Sequence, residues 1–273
     1  MAELGANQWG KSGVRLSKLL RGDGEDVFLD LEFQVLLAGD VGAAYLQGDN
    51  AAVLPTDTTR NTIYGLAQDH LTEDLESFAT FLCDHMVAKE GIESAEVRIR
   101  QRRWRREGPT GFTGGSSERR VARVIGDGTG SRETEAGIEG LVVLKTGGSA
   151  FVGYPRDEFT VLPEAEDRVL STSINALWVY TDIPADTGGA WESVREVMLQ
   201  RFFADWSASV QHQGWLMAQA VLDSVPEIGE ITFELPNQHH LPFDVARFGL
   251  DDAHIVFHPV SEPYGDIRFT VSR

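Results

Sequence analysis

One succession of hydrophobic periods runs twice through this chain, and it restricts the fold more than any single motif does. The segments "WGKSGVRLSKLL" and "DVFLDLEFQVLLAGD" alternate apolar and polar residues, the period of a half-buried strand. The turn-like "RGDGED" between them makes a long hairpin. After residue 56 the period becomes helical. In "LTEDLESFATFLCDHMVAKEG", Leu75, Phe78, Leu82 and Met86 share one face, Thr72 is placed to cap, Glu73 and Asp74 suit the first turn, and Gly91 suits the stop. "GIESAEVRIRQRRWRR" alternates again and finds a partner in "ERRVARVIGDG" after the loop "EGPTGFTGGSS". The second half repeats the order. "GIEGLVVLKTGGSAFVGY" and "RVLSTSINALWVYTDI" are predicted strands. "WESVREVMLQRFFADWSASVQHQGWLMAQAVLDSV" is one or two helices closed by Pro226, and "EIGEITFELPN" and "AHIVFHPVSEPYGDIRFTVSR" are strands. The expectation is an α+β protein of two tandem units, residues 1–133 and 134–273, with antiparallel sheets and paired helices. Exposed strand edges in such units invite a second copy.

With 273 residues, 42% of them hydrophobic, each unit can bury a core of its own. The net charge of −18 disfavours nucleic acid and anionic membranes as partners. Cys83 is the sole cysteine, which excludes an intrachain disulfide and a thiolate cluster and fits a reducing cytoplasm. No apolar run reaches the length of a membrane span, and "MAELGANQWGKSG" lacks the apolar core of a signal peptide.

Candidate chemistry is scattered. Thr56-Asp57-Thr58-Thr59 follows Pro55 and opens a helical period, so its side-chain oxygens serve either as helix caps or as groups held for reaction. "RIRQRRWRR" carries Arg98, Arg100, Arg102, Arg103, Arg105 and Arg106, a salt-bridged or solvated strand face in so acidic a chain, or a channel for a small anion. His239 and His240 sit in "LPNQHH", a polar break after a strand; adjacent strand residues point to opposite faces and cannot easily chelate one metal. His70, His85, His212, His254 and His258 show no metal-binding spacing. A proton carrier is the better role for histidine, because imidazole titrates near neutrality. "GDGTG" and "TGGSA" match neither phosphate-loop nor dinucleotide fingerprints, and no GxSxG elbow occurs.

Taken together, "GKSGVRL", "PTDTTRNTIYGLA", "VRIRQRRW", "GLVVLKTGGSAFVGYPRDEFTVLPEAEDRVLSTSINALW", "SVQ" and "LPNQHH" resemble the urate oxidase (uricase) family, in the family's order and across almost the whole chain. The resemblance implies a tandem tunnelling fold (T-fold), in which subunits close their sheets into intersubunit β-barrels and assemble as a homotetramer. It implies oxidation of urate by O2 and water to 5-hydroxyisourate and hydrogen peroxide, with no cofactor and no metal. It also assigns roles. Lys11, Thr56 and His239 match a proton relay, and Phe151 the ring that stacks on the purine. Arg168 and Gln211 match the pair that grips the urate edge. Val210 and Asp57 would add backbone contacts, Leu162 would line the pocket, and Asn237 would stand near the oxygen or water site. Lys11 and Thr56 would face Phe151, Arg168 and Gln211 across a subunit boundary.

The sequence departs from the family in two places. "PTGFTGG" keeps Phe112 but none of the histidines that members often carry after the arginine-rich strand. The chain ends "TVSR" without a peroxisomal signal, which favours a bacterial cytoplasmic protein. Another T-fold purine or pterin enzyme, or a purine-binding barrel without catalysis, are the rival functions.

Overall fold

Leu29, Leu31, Phe33, Val35 and Leu37 are alternate residues of one strand, and each is fully buried. That run is the floor of the first of two compact units. The computed structural model describes residues 2–22, 26–251 and 255–273. One unit comprises Met1–Gly137 with Leu177–Trp191, the other Ile138–Ala176 with Glu192–Arg273. The tip of the first hairpin and the start of the last expected strand, with His254, lie partly outside the described residues.

In the first unit, strands β1 (Trp9–Leu20), β2 (Val27–Ala38), β3 (Ser94–Arg102), β6 (Arg119–Asp127) and the beginning of β7 (Arg132–Lys145) lie in that order. The pairs β1–β2, β2–β3 and β3–β6 are antiparallel. Helix α1 (Gly42–Gln47) is short; α2 (Thr56–His70) packs on β1, and α3 (Leu75–Val87) packs on β3 and β6. Within α3, Leu75, Phe78, Ala79, Leu82, Cys83 and Met86 are all buried, the three-and-four spacing of a core-facing stripe. Its cap is Asp74, not Thr72: the Asp74 carboxylate accepts from Ser77 N at 2.9 Å, while the Thr72 hydroxyl accepts from Asp74 N at 3.2 Å. Thr72 lies two residues before the cap, too early to reach the free amides of the first helical turn.

The arginine-rich strand resolves by alternation. In β3, Val97 and Ile99 are buried, and the arginines between them take the opposite face. There Arg100 stands across from Glu32 and Arg102 across from Asp30, with ion pairs of 3.7 and 3.8 Å. Arg103 pairs with Glu118 at 3.8 Å and lies over the Trp191 ring. This is the salt-bridged face expected of it. The loop that follows holds a small hairpin, β4 (Arg105–Glu107) with β5 (Gly111–Thr113), which has too few residues for periodicity to betray it.

The second unit orders the rest of β7, β8 (Leu170–Tyr180) as far as Ala176, β9 (Ile228–Pro242) and β10 (Phe257–Ser272). Two helices stand where one or two were expected, α4 (Thr187–Ala204) and α5 (Val210–Ser224). Strand β7 ends at Lys145, so "SAFVGY" is loop rather than strand, with Phe151 in an isolated bridge. His239 and His240 lie inside β9 and not in a break after it, because β10 continues to pair there.

A buried ion pair ties the first unit together. Glu76 of α3 meets Arg120 of β6 at 2.6 Å, with side chains 0% and 8% exposed. Burial raises the Glu76 carboxyl above its ordinary range, and Arg120 opposes that. The Thr187 hydroxyl accepts from Arg120 and donates to the cap residue Asp74. Arg120→Met strands a buried carboxylate and is expected to cost about 3–5 kcal/mol, whereas Arg120→Met with Glu76→Leu regains most of the loss. Denaturant unfolding at fixed protein concentration measures both. A single variant as stable as the parent would show that the pair carries no weight.

Candidate active site

In β7, Leu141 and Val143 are buried and Val142 and Leu144 exposed, so Lys145 falls on the buried phase of the alternation. Its ammonium is satisfied by neutral oxygens. Nζ donates to the Asp205 carbonyl at 2.8 Å, to Ser207 Oγ at 3.3 Å and to Gln213 Oε1 at 2.7 Å, with the Phe202 ring 5.5 Å away. Burial pushes its pKa below the ordinary lysine value, and Asp205 and Asp167 partly offset this. The segment from Asp205 to Ser209 is thereby held against the end of β7. Ala150 N donates to Ser207 O at 2.8 Å, and Ser207 N to Gly148 O at 3.0 Å. On the other side of Ser149, its carbonyl accepts from Arg168 N at 2.8 Å and its N–H donates to Asp167 Oδ1 at 3.2 Å.

Five expected site residues lie on the segments joined at that junction. Phe151 exchanges two backbone bonds with Ala165, at 2.7 and 3.1 Å, closing a loop from 151 to 165. The Arg168 guanidinium carbon lies 5.3 Å from the Phe151 ring centroid. That guanidinium is half-buried, and desolvation lowers its pKa. Among the described residues no carboxylate pairs with it, and its buried Nε has no hydrogen-bond partner. Gln211 is the second residue of α5, exposed, directly after Val210, whose side chain is buried. Ser209 caps the helix by accepting from His212 N at 3.1 Å. The Val210 N–H belongs to the first turn, where amides lack intrahelical partners. Leu162 lies on the 151–165 loop with an exposed side chain, and its carbonyl accepts from Tyr154 Oη at 2.5 Å.

Asn237 and His239 stand on β9 opposite an irregularity. Asn237 pairs in register with Gly265 of β10, but His239 pairs with Val260. Ser261 to Tyr264 therefore bulge opposite Gln238 alone, a device that re-aims side chains on a strand. Asn237 is buried and His239 half-buried.

Lys11, Thr56 and Asp57 belong to the first unit. Lys11 precedes a one-residue bulge in β1, since Lys11 faces Val35 while Val14 faces Phe33. Two glycines make this possible. A Cβ on Gly10 would stand 1.9 Å from the Val35 carbonyl oxygen, and Gly13 adopts φ +69°, where side chains are strained. Trp9 Nε1 donates to the Leu54 carbonyl at 3.0 Å, so the strand carrying Lys11 is pinned to the segment leading into Thr56. Further along, Tyr64 Oη donates to Arg15 O at 2.6 Å, and Lys18 Nζ donates to three carbonyls ending α2, each at 2.8 Å. The capping role allowed for the Thr/Asp cluster is not used. The N-cap is Pro55, without a side-chain bond, and the Asp57 carboxylate pairs with Arg60 at 2.9 Å. The proline places Thr56 itself in helical conformation, too late to cap. Its hydroxyl is thus not spent on helix initiation.

Among the described residues, no group of three or more His, Cys, Asp or Glu is placed to hold a metal ion, and no helix is long and apolar enough to cross a membrane. The family model described as Uricase matches residues 7–122 and 134–268. The chain belongs to the uricase family. A uricase of Arthrobacter globiformis is 38% identical over 273 residues, spanning 99% of this chain and 90% of that protein. One of Dictyostelium discoideum is 34% identical over 285 residues, spanning 100% and 98%. A crystal structure of the Arthrobacter globiformis uricase covers 100% of this chain and 96% of its own, with a TM-score of 0.95 at 37% identity. The α+β tandem T-fold expected from the resemblance is therefore the fold of this chain.

Within this uricase-family fold, Lys145, Tyr154 and Trp9 support the site without having been singled out in the sequence. Lys145 carried a signal, a charged residue at the buried phase of a strand. Lys145→Met leaves three acceptors facing a thioether, at a cost of about 1–3 kcal/mol. Amide hydrogen exchange should quicken at Ala150 and Ser207 and stay unchanged in the β1–β2 hairpin. Equal protection at Ala150 and Ser207 in variant and parent would remove Lys145 from this role.

Proposed function

We propose that the chain oxidises urate with O2 and water to 5-hydroxyisourate and hydrogen peroxide, without metal or organic cofactor. Membership of the uricase family supports the reaction. The observation that carries the binding half is Arg168, a half-buried guanidinium lacking an acidic partner and set beside an aromatic ring. A cation in that condition is stabilised by an anion, and the ring beside it selects a flat one. Urate is a planar anion. Arg168 offers it a rigid fork of two parallel N–H bonds and a charge. Gln211 adds one donor and one acceptor, suited to an edge of mixed character. Phe151 fixes the plane by stacking, worth roughly 0.5–1.5 kcal/mol beyond area burial. The backbone donors proposed, of Val210 and Asp57, lie in the first turns of α5 and α2, where free N–H groups and the helix dipole favour an anion. Leu162 lines the pocket.

The chemistry needs proton carriers. Urate gives up two electrons and two protons, O2 takes up both to become peroxide, and the oxygen of a water molecule adds to C5 of the oxidised purine. Lys11, acting through the Thr56 hydroxyl, is the proposed acceptor of the purine proton. His239 delivers protons toward the oxygen site beside Asn237. The bulge at Ser12–Gly13 and the Trp9–Leu54 bond are the features that would hold the first two in place.

Lys11, Thr56 and Asp57 are proposed to come from one subunit, and Phe151, Leu162, Arg168, Val210, Gln211, Asn237 and His239 from another, within a homotetramer of intersubunit barrels. Urate absorbance should fall in aerated solution while peroxide accumulates, at the same rate with chelator present. Binding without consumption would identify a purine-binding barrel instead, and loss of activity to chelator a metal enzyme. Lys11→Ala or Thr56→Ala should lower turnover about 10²–10⁴-fold, the scale of positioned proton transfer. Arg168→Ala should chiefly raise KM. At urate concentrations well below the KM of Arg168→Ala, co-assembled Thr56→Ala and Arg168→Ala subunits should regain activity that neither shows alone. Silence from a demonstrated mixed assembly would refute the shared site.

A further inference from the structure

The loop between Phe151 and Ala165 carries two of the proposed substrate contacts, Phe151 at its base and Leu162 on its return, and Tyr154 touches both. The Tyr154 ring stacks on Phe151 with centroids 4.8 Å apart and planes 16° from parallel. Its hydroxyl donates to the Leu162 carbonyl at 2.5 Å. Arg156 supplies a second donor to that carbonyl at 3.1 Å, with its guanidinium carbon 5.6 Å from the Tyr154 ring. The loop tip is separately closed by Asp157, whose carboxylate accepts from Phe159 N at 3.0 Å and from the Thr160 hydroxyl at 2.7 Å. One rigid side chain thus spans from the stacking ring to the pocket wall.

We infer that Tyr154 is a positioning residue for the proposed urate site: its ring backs one face of Phe151, and its hydroxyl sets how far Leu162 stands from that ring. A phenylalanine side chain left alone samples several rotamers, and a flat ligand would have to order it on binding. Stacked on Tyr154, the Phe151 ring is held in one orientation, and the ordering cost falls on folding rather than on substrate binding. The residue acts on grip and does not touch the reacting atoms. This inference rests on the urate reading given above.

Two variants separate the ring from the hydroxyl. Tyr154→Phe keeps the stack and loses the Leu162 bond, while Tyr154→Leu loses both. In the full-length assembled protein, KM for urate should rise about threefold in the first and about tenfold in the second, with kcat within twofold of the parent. The dissociation constant of xanthine, a planar purine used as an unreactive probe, should rise in the same order. A merely structural role would lower the active fraction, and so kcat, and leave KM unmoved; that result overturns the inference. So does an unchanged KM in Tyr154→Leu, or a lower one, which would place Tyr154 on the substrate's side of Phe151. A parent protein that fails to consume urate refutes the functional reading itself, whereas an active parent with indifferent variants refutes only the role of Tyr154.

Discussion

A protonated amine at the buried end of a strand must have its donors satisfied, or the neighbourhood opens to water to satisfy them. Lys145 meets that requirement with the Asp205 carbonyl, the Ser207 hydroxyl and the Gln213 amide oxygen. These three acceptors lie on the connection between α4 and α5 and on α5 itself. Their attachment brings Ser207 beside Ser149, and the flanking backbone bonds then fix Ala150 and Arg168. Phe151 and Arg168, from one side of the junction, and Val210 and Gln211, from the other, are therefore positioned by the same set of bonds. The lysine is held by neutral oxygens, and the Asp167 carboxylate at the junction accepts from the Ser149 N–H rather than pairing with the nearby guanidinium of Arg168.

In the first unit the equivalent constraint is on backbone, not charge. Strand β1 must approach β2 closely at Gly10 and accommodate an extra residue at Gly13, and only glycine meets either demand without displacement or strain. The bulge ends the regular register immediately after Lys11. Helix α2 and the segment leading into it are then fastened along β1 at three heights, by Trp9, Tyr64 and Lys18. The helix start bearing Thr56 and Asp57 inherits its placement from those bonds. Because the N-cap is Pro55, no side chain is consumed there, and the first-turn amides and the Thr56 hydroxyl stay available.

Sequence periodicity made the alternation of β2, the stripe of α3 and the doubled order of elements legible, because burial on one face dictates residue type at fixed spacing. Element ends were less legible. Thr72 and Asp74 are both competent caps, and only the path of the chain selects Asp74. His239 and His240 read as a break because the segment is polar, yet β10 supplies backbone partners there. Tyr154 and Trp9 gave no sequence signal at all. Their roles depend on which carbonyl lies within reach, Leu162 for one and Leu54 for the other.

The arginines show why pairing, rather than count, separates a cation compensated within the chain from one left for a ligand. The chain carries 42 acidic against 24 basic residues, so an arginine that lacks an acidic partner is unusual on composition alone. Arg100 and Arg102 find Glu32 and Asp30 across a strand boundary about seventy residues away in sequence. In that run, the most conspicuous basic feature of the chain, Arg100, Arg102, Arg103 and Arg105 each have an acidic partner. Arg168 is inconspicuous in "EDRVL", just after two acids, of which Asp167 accepts from the Ser149 N–H instead. The neighbouring carboxylate is thus committed to the backbone, and the guanidinium is left half-desolvated beside Phe151. Desolvation without a partner weakens hydration of the cation and sharpens its preference for a well-shaped anion over water. A planar anion that stacks on Phe151 while meeting the Arg168 fork satisfies both groups together, which neither bulk water nor a carboxylate from the chain can do.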